Sequence, residues 1–211
     1  MTRHTTTTRL FASTLAAALS LTALSGCSAG TEADIVKNAT MSWQGAEPSS
    51  PLEDHDAVKF MRDYYYAQAV AWNSGDFTLD LLTSVTSEAA VEGLANTYAK
   101  QGDEPVVFNG PRAFAPLKVK DGEDGVVVVT LCEADRPVYL NETKPKTGGA
   151  MVGSYELSST GSGGYEVGSI ENGSAHSGVC DGVDIPVALF DTPPTMPETP
   201  VTEVVRGPEI D

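Results

Sequence analysis

The side chains able to do chemistry are few and dispersed. Asp63 directly precedes Tyr64-Tyr65-Tyr66, so one helical turn would carry a carboxylate base and three phenolic donors, the groups needed to move a proton on a small molecule. Successive helix positions point about 100° apart, so at least one of the three tyrosines must face an interior. Adjacency sets no geometry, however, and aromatic stripes on helices ordinarily pack cores. His55 stands at a helix start and His176 in a Gly/Ser-rich loop, and neither has the companions a transition-metal site requires. Asp121-Gly122-Glu123-Asp124-Gly125 is acidic but lacks the alternate oxygen ligands and closing Glu of a calcium loop, and reads as a solvated turn. Asp181 and Asp184 add carboxylates beside Cys180 without a spacing that makes them converge. There is no Gly-x-Ser-x-Gly elbow and no phosphate-binding Gly-rich loop with its Lys. No catalytic residue, metal ligand or cofactor is assigned.

The elements that position these groups run helices first and strands afterwards. Val58, Met61, Tyr65, Ala69 and Trp72 recur at three- and four-residue steps, which predicts an amphipathic helix capped by Asp54 or Asp56 and stopped at Gly75. Phe77, Leu79, Leu81 and Leu82 predict a short second helix. Thr86 or Ser87 would cap a third with Val91, Leu94, Ala95 and Tyr98 on one face, ending by Gly102. The period then changes to two. Strands are expected over 106–108, 113–120, 126–132, 138–140, 151–159 and 165–170. Tyr155/Leu157 and Tyr165/Val167 flank Gly161-Ser162-Gly163-Gly164 as a hairpin, with Gly168 a candidate bulge.

Around this body the composition changes. Residues 1–26 are laid out as an export signal: Arg3, His4 and Arg9, then an apolar run from Leu10 to Ala23, then small residues. The run is shorter than the ~20 residues that span a hydrocarbon core. Residues 27–53, with Glu47-Pro48-Ser49-Ser50-Pro51, read as a flexible tether. Trp43 is the exception, since a large aromatic is costly to leave in water and is expected to dock on the body. A single domain spans 54–190, and 191–211 form a Pro-rich acidic tail. In an exported chain, Cys132 and Cys180 are most simply a disulfide.

Charge excludes some partners. The chain carries 13 basic and 29 acidic residues, a net −16, and the leader holds only Arg3 and Arg9, so removing it deepens the imbalance. Such a surface has no basic stripe for a phosphate backbone, which excludes nucleic acid. It would also be repelled by anionic lipid headgroups.

Leu24-Ser25-Gly26-Cys27 closes the leader and resembles a bacterial lipobox, as in surface lipoproteins of actinobacterial type. The resemblance implies that Cys27 is diacylglycerylated, that cleavage precedes it, and that it becomes the palmitate-bearing first residue of the mature chain. Two acyl chains suffice for stable anchoring. The protein is then expected at the cell membrane, lipid-anchored and facing the extracytoplasmic side.

The order of a long helix (Val58 to Trp72), the Asn73-Ser74-Gly75-Asp76 turn, a helix over Val91 to Tyr98 and strands from Val126 to Ile170 is similar to an NTF2-like or cystatin-like α+β fold. There, N-terminal helices pack on a curved antiparallel sheet and often leave a pocket. The resemblance would place Tyr65, Trp72, Tyr98 and Phe114 near it. The expected function is a non-catalytic binding or interaction module for a protein, wall component or small ligand. The alternative is an NTF2-like enzyme of isomerase or dehydratase type acting on a small apolar molecule. A two-lobed solute-binding protein would need a longer chain.

Overall fold

The computed structural model describes residues 39–100, 106–140, 142, 150–160, 164–172 and 178–192, the side chains of 169–172 excepted. Residues 1–38 with Leu24-Ser25-Gly26-Cys27, His176 and residues 193–211 lie outside the described residues.

The fold is α+β. A 3-10 turn, Pro51–Asp54, leads into helix α1, Asp56–Ser74, followed by α2, Asp80–Thr83, and α3, Glu88–Ala99. Strands β2 (Phe114–Asp121), β3 (Val126–Ala134), β4 (Ala150–Ser159) and β5 (Tyr165–Asn172) form an antiparallel meander in the order β2-β3-β4-β5. A separate two-stranded ribbon pairs β1 (Met41–Trp43) with β6 (Ala188–Phe190).

The helix signals act much as their chemistry dictates. The cap of α1 is His55, whose Nδ1 accepts from Ala57 N–H at 3.1 Å; neither Asp54 nor Asp56 takes that role. Gly75 closes the helix in the left-handed region at φ 66°, where a residue without Cβ is unstrained. Ser87 caps α3 by accepting from Ala90 N–H.

Helix α1 separates two cores. On one side Ala57, Val58, Met61, Tyr64 and Tyr65 pack on the inward face of the meander, formed by Val127, Val129, Leu131, Tyr155 and Leu157. Alternation along β3 and β4 puts these residues on one face. On another side Ala67, Val70 and Ala71 meet Phe77, Leu79, Leu82, Ala95 and Phe190. Gly168 is passed over in the β4–β5 register, where Val167 pairs with Leu157 and Ser169 with Glu156, so the expected bulge is present. The strand expectations over 106–108 and 138–140 reduce to one isolated bridge, Phe108 with Tyr139.

The segment assigned to the tether by composition does not all behave as one. Met41, Ser42 and Trp43 pair with Phe190, Leu189 and Ala188, and Ser50 caps the 3-10 turn by accepting from Leu52 N–H. The packed body therefore begins before the expected boundary at residue 54, and Trp43 docks on it. Cys132 and Cys180 form a disulfide, S–S 2.07 Å, which ties the chain leading into β6 to the outer face of β3. No described helix is long and apolar enough to cross a membrane.

Candidate functional site

The alternation that points Val127, Val129 and Leu131 into the core also points Glu133 there, and its side chain is 1 % exposed. A buried carboxylate requires partners. Tyr65 donates from Oη to Oε2 at 2.6 Å, and Tyr155 reaches Oε1 at 2.8 Å and Oε2 at 3.0 Å. The two phenolic oxygens also lie 2.5 Å apart. Arg112 stands at 3.7 Å from Oε2, an ion pair too long to be a hydrogen bond. Room for the carboxylate comes from Gly153 on β4, where a Cβ would sit 2.0 Å from Oε1. Burial and the adjacent carboxylate push the phenols of Tyr65 and Tyr155 well above their ordinary range. Burial pushes Tyr64 up to about 12.

A cleft of about 320 Å³ opens in front of this cluster, between the N-terminal segment, α1 and the entry to β2. Its aromatic wall is Trp43, Tyr65 and Phe114; its charged groups are Glu47, Glu53, Lys59, Arg62, Asp63 and Arg112. Arg62 is the keystone of the wall. Its guanidinium lies 3.6 Å over Phe114 and 5.2 Å from the centre of the Trp43 ring, while Nη2 and Nε donate to Glu53 at 2.8 and 3.3 Å. Desolvation lowers the Arg62 pKa, opposed by the bonds to Glu53, and the always-charged guanidinium remains an ion at any ordinary pH. Asp63 occupies the rim, where partial burial raises its carboxyl above the ordinary value. Glu133 itself does not line the cleft; Tyr65 stands between them.

The four aromatics expected near one pocket fall into two groups. Tyr65 and Phe114 meet at 5.6 Å and line the cleft. Trp72 and Tyr98 meet at 5.3 Å in the helical core, where Trp72 also stacks on Phe108 at 5.2 Å; neither lines the cleft. Of the tyrosine run, Tyr64 and Tyr65 enter the sheet core, whereas Tyr66 packs on Phe190 at 6.2 Å.

A second, wider groove of about 860 Å³ crosses the back of the sheet beside Cys180. Asp181 and Asp184 reach it together with Glu47, Glu53 and Asp135, over a floor that includes Ala115, Ala134 and Ile185. Among the described residues no group of three or more His, Cys, Asp or Glu is placed to hold a metal ion.

Sequence reasoning did not single out Glu133, Arg112, Arg62 or Gly153. The signal for Glu133 was present: it continues the inward register of an apolar strand, and an acid at such a position must be partnered. Arg112 and Arg62 carry no comparable signal, because their neighbours come from distant segments.

No family model, curated protein or solved structure matches the chain.

Proposed function

We propose that the chain is a lipoprotein anchored through Cys27 on the extracytoplasmic side of the cell membrane, and that its domain is a non-catalytic module binding a small ligand in the cleft beneath Trp43. The NTF2-like relationship belongs to this proposal; its support is the order of helices and meander and the cleft beside the long helix. The anchor rests on Leu24-Ser25-Gly26-Cys27 and on a cysteine pair of the kind oxidising compartments maintain.

One observation carries the binding reading. Tyr65 is the phenol that lines the cleft, yet its hydroxyl is turned away, within hydrogen-bonding distance of Glu133 and Tyr155 behind the wall. An isomerase or dehydratase needs a base and an acid aimed at one bound atom. Here Asp63 offers a carboxylate to the cleft, but the phenolic donor that shares the cleft, Tyr65, is already engaged in the core. The wall groups are instead fixed in place by stacking and ion pairing, which suits recognition.

The test has two arms. Cys27→Ser is expected to move the chain from the membrane to the soluble fraction and to abolish globomycin-sensitive processing; unchanged fractionation would refute the anchor. In nuclear magnetic resonance, fragment-sized ligands are expected to shift the Trp43 indole resonance and to lose binding in Trp43→Ala. Chemical conversion of a bound fragment by the protein would refute the non-catalytic reading.

A further inference from the structure

The charged groups that line the cleft are unequally engaged. Glu53 is committed to Arg62, and Lys59 pairs outward with Asp56 at 3.6 Å. Arg112, its side chain 29 % exposed, makes no hydrogen bond to any described residue; its one ion-pair partner, Glu133, is held by two tyrosines. A guanidinium carries five donors in a planar fork that matches a carboxylate, so Arg112, ion-paired with Glu133 but hydrogen-bonded to no described residue, keeps donors available to the cleft it lines. Asp63 is its counterpart: a rim carboxylate with no hydrogen bond or ion pair among the described residues. Trp43, Tyr65 and Phe114 line the same cleft. At about 320 Å³ the cleft is at the small end of ligand sites, large enough for a molecule of amino-acid size and too small for a glycan chain or a folded partner.

From this arrangement, and resting on the ligand-binding reading above, we infer that the cleft takes a small zwitterion, its carboxylate on Arg112, its ammonium on Asp63, and a short apolar stem against Trp43 and Tyr65. A simple anion on Arg112 would leave Asp63 without a partner, and a simple amine on Asp63 would leave the donors of Arg112 unused; a molecule bearing both charges engages both. The strong negative charge of the whole chain disfavours free anions further, since they are repelled before they reach the cleft. A zwitterion has no net charge and is not excluded by that field.

The probes are 6-aminohexanoate and three compounds with the same carbon chain: hexanoate, hexylamine and hexanamide. Each is titrated into the full-length chain while the indole N–H resonances of Trp43 and Trp72 are followed, with Trp72, which does not line the cleft, as internal reference. The expected result is a saturable shift of Trp43 with 6-aminohexanoate, at least tenfold tighter than with any of the other three. Asp63→Asn should remove most of the advantage over hexanoate, and Arg112→Gln most of that over hexylamine. Asp63 is solvent-accessible and its replacement is expected to leave the fold intact, so one arm stands even if Arg112→Gln disturbs the Glu133 cluster. Equal binding of hexanamide, hexanoate or hexylamine would overturn the zwitterion while leaving the cleft as a ligand site. Absence of any saturable Trp43 shift with all four would overturn both.

Discussion

Replacing Gly153 by Ala tests whether the carboxylate cluster is a fixed part of the core. The new Cβ would stand 2.0 Å from Glu133 Oε1 and 2.8 Å from Tyr155 Cε2. Restoring ordinary contact requires Oε1 to retreat by more than about 1 Å, which breaks its 2.8 Å bond from Tyr155. A terminal oxygen on a flexible side chain would normally yield cheaply. Here it is enclosed, and the change adds a lost hydrogen bond to a charged group, about 1.5–3 kcal/mol, to overpacking against the Tyr155 ring, about 1–3 kcal/mol. The lower backbone entropy of Ala offsets about 0.5–1 kcal/mol. The net expectation is a destabilisation of about 3 kcal/mol, measured by urea unfolding with an unchanged m-value. The decisive measurement is the double-mutant cycle with Glu133→Ala, in which the first clash no longer exists. Gly153→Ala should then cost about 1 kcal/mol, the remainder being the coupling between the two sites. A cost below about 1 kcal/mol in the parent, or the same cost in both backgrounds, would refute the placement of Glu133 against β4.

Three further outcomes follow from the same core. The phenols of Tyr64, Tyr65 and Tyr155 have folded pKa values raised above about 10, so above that pH the unfolded chain loses protons that the folded chain retains. Stability should therefore fall with rising pH at up to about 1.4 kcal/mol per unit for each of the three groups. Their absorbance at the phenolate band should appear only with unfolding, and free titration of all seven tyrosines in the folded chain would contradict the burial. Arg62→Met removes the pair with Glu53 and the stacking on Trp43 and Phe114; a loss of about 2–3 kcal/mol and faster proteolytic release of the segment before residue 54 are expected, and unchanged proteolysis would show that Arg62 does not hold that segment. Replacing Cys132 and Cys180 by Ser opens a loop of 48 residues, for which the chain-entropy model gives about 4 kcal/mol; equal stability of the variant and the parent would argue against the crosslink.

How much of this was legible depends on the range over which each residue acts. Helix α1 follows from its three- and four-residue apolar steps and from Gly75, and the meander follows from alternation, because both signals are local. The disulfide needed only two cysteines and the expectation of export. The tether boundary was misplaced because Met41–Trp43 is too short to announce a strand; its register comes entirely from Ala188–Phe190, almost 150 residues away. The aromatic grouping divided for a related reason. Tyr65 and Trp72 lie seven positions apart on α1, two turns along its axis, and the helix meets the sheet near the first and α3 near the second. A shared helix stripe does not imply a shared cavity.

The same arrangement explains why the cleft wall and the buried cluster belong together. Asp63, Tyr64, Tyr65 and Tyr66 span little more than one turn, yet they serve the rim, the sheet core, the boundary between cleft and carboxylate, and the helical core. Side chains at 100° intervals can do this only if the helix is covered on most sides, as α1 is. Tyr65 is the position that joins the two regions: it lines the cleft beside Phe114, and its hydroxyl is anchored on Glu133 and Tyr155. Holding the hydroxyl there restricts the rotamer freedom of the ring, so on the proposed binding reading less ordering would be required of the cleft. The buried carboxylate thereby acts on the cleft without entering it. If the cleft binds a small ligand as proposed, loosening the anchor by Glu133→Gln or Tyr155→Phe should weaken that binding in the Trp43 titration even though neither side chain lines the cleft.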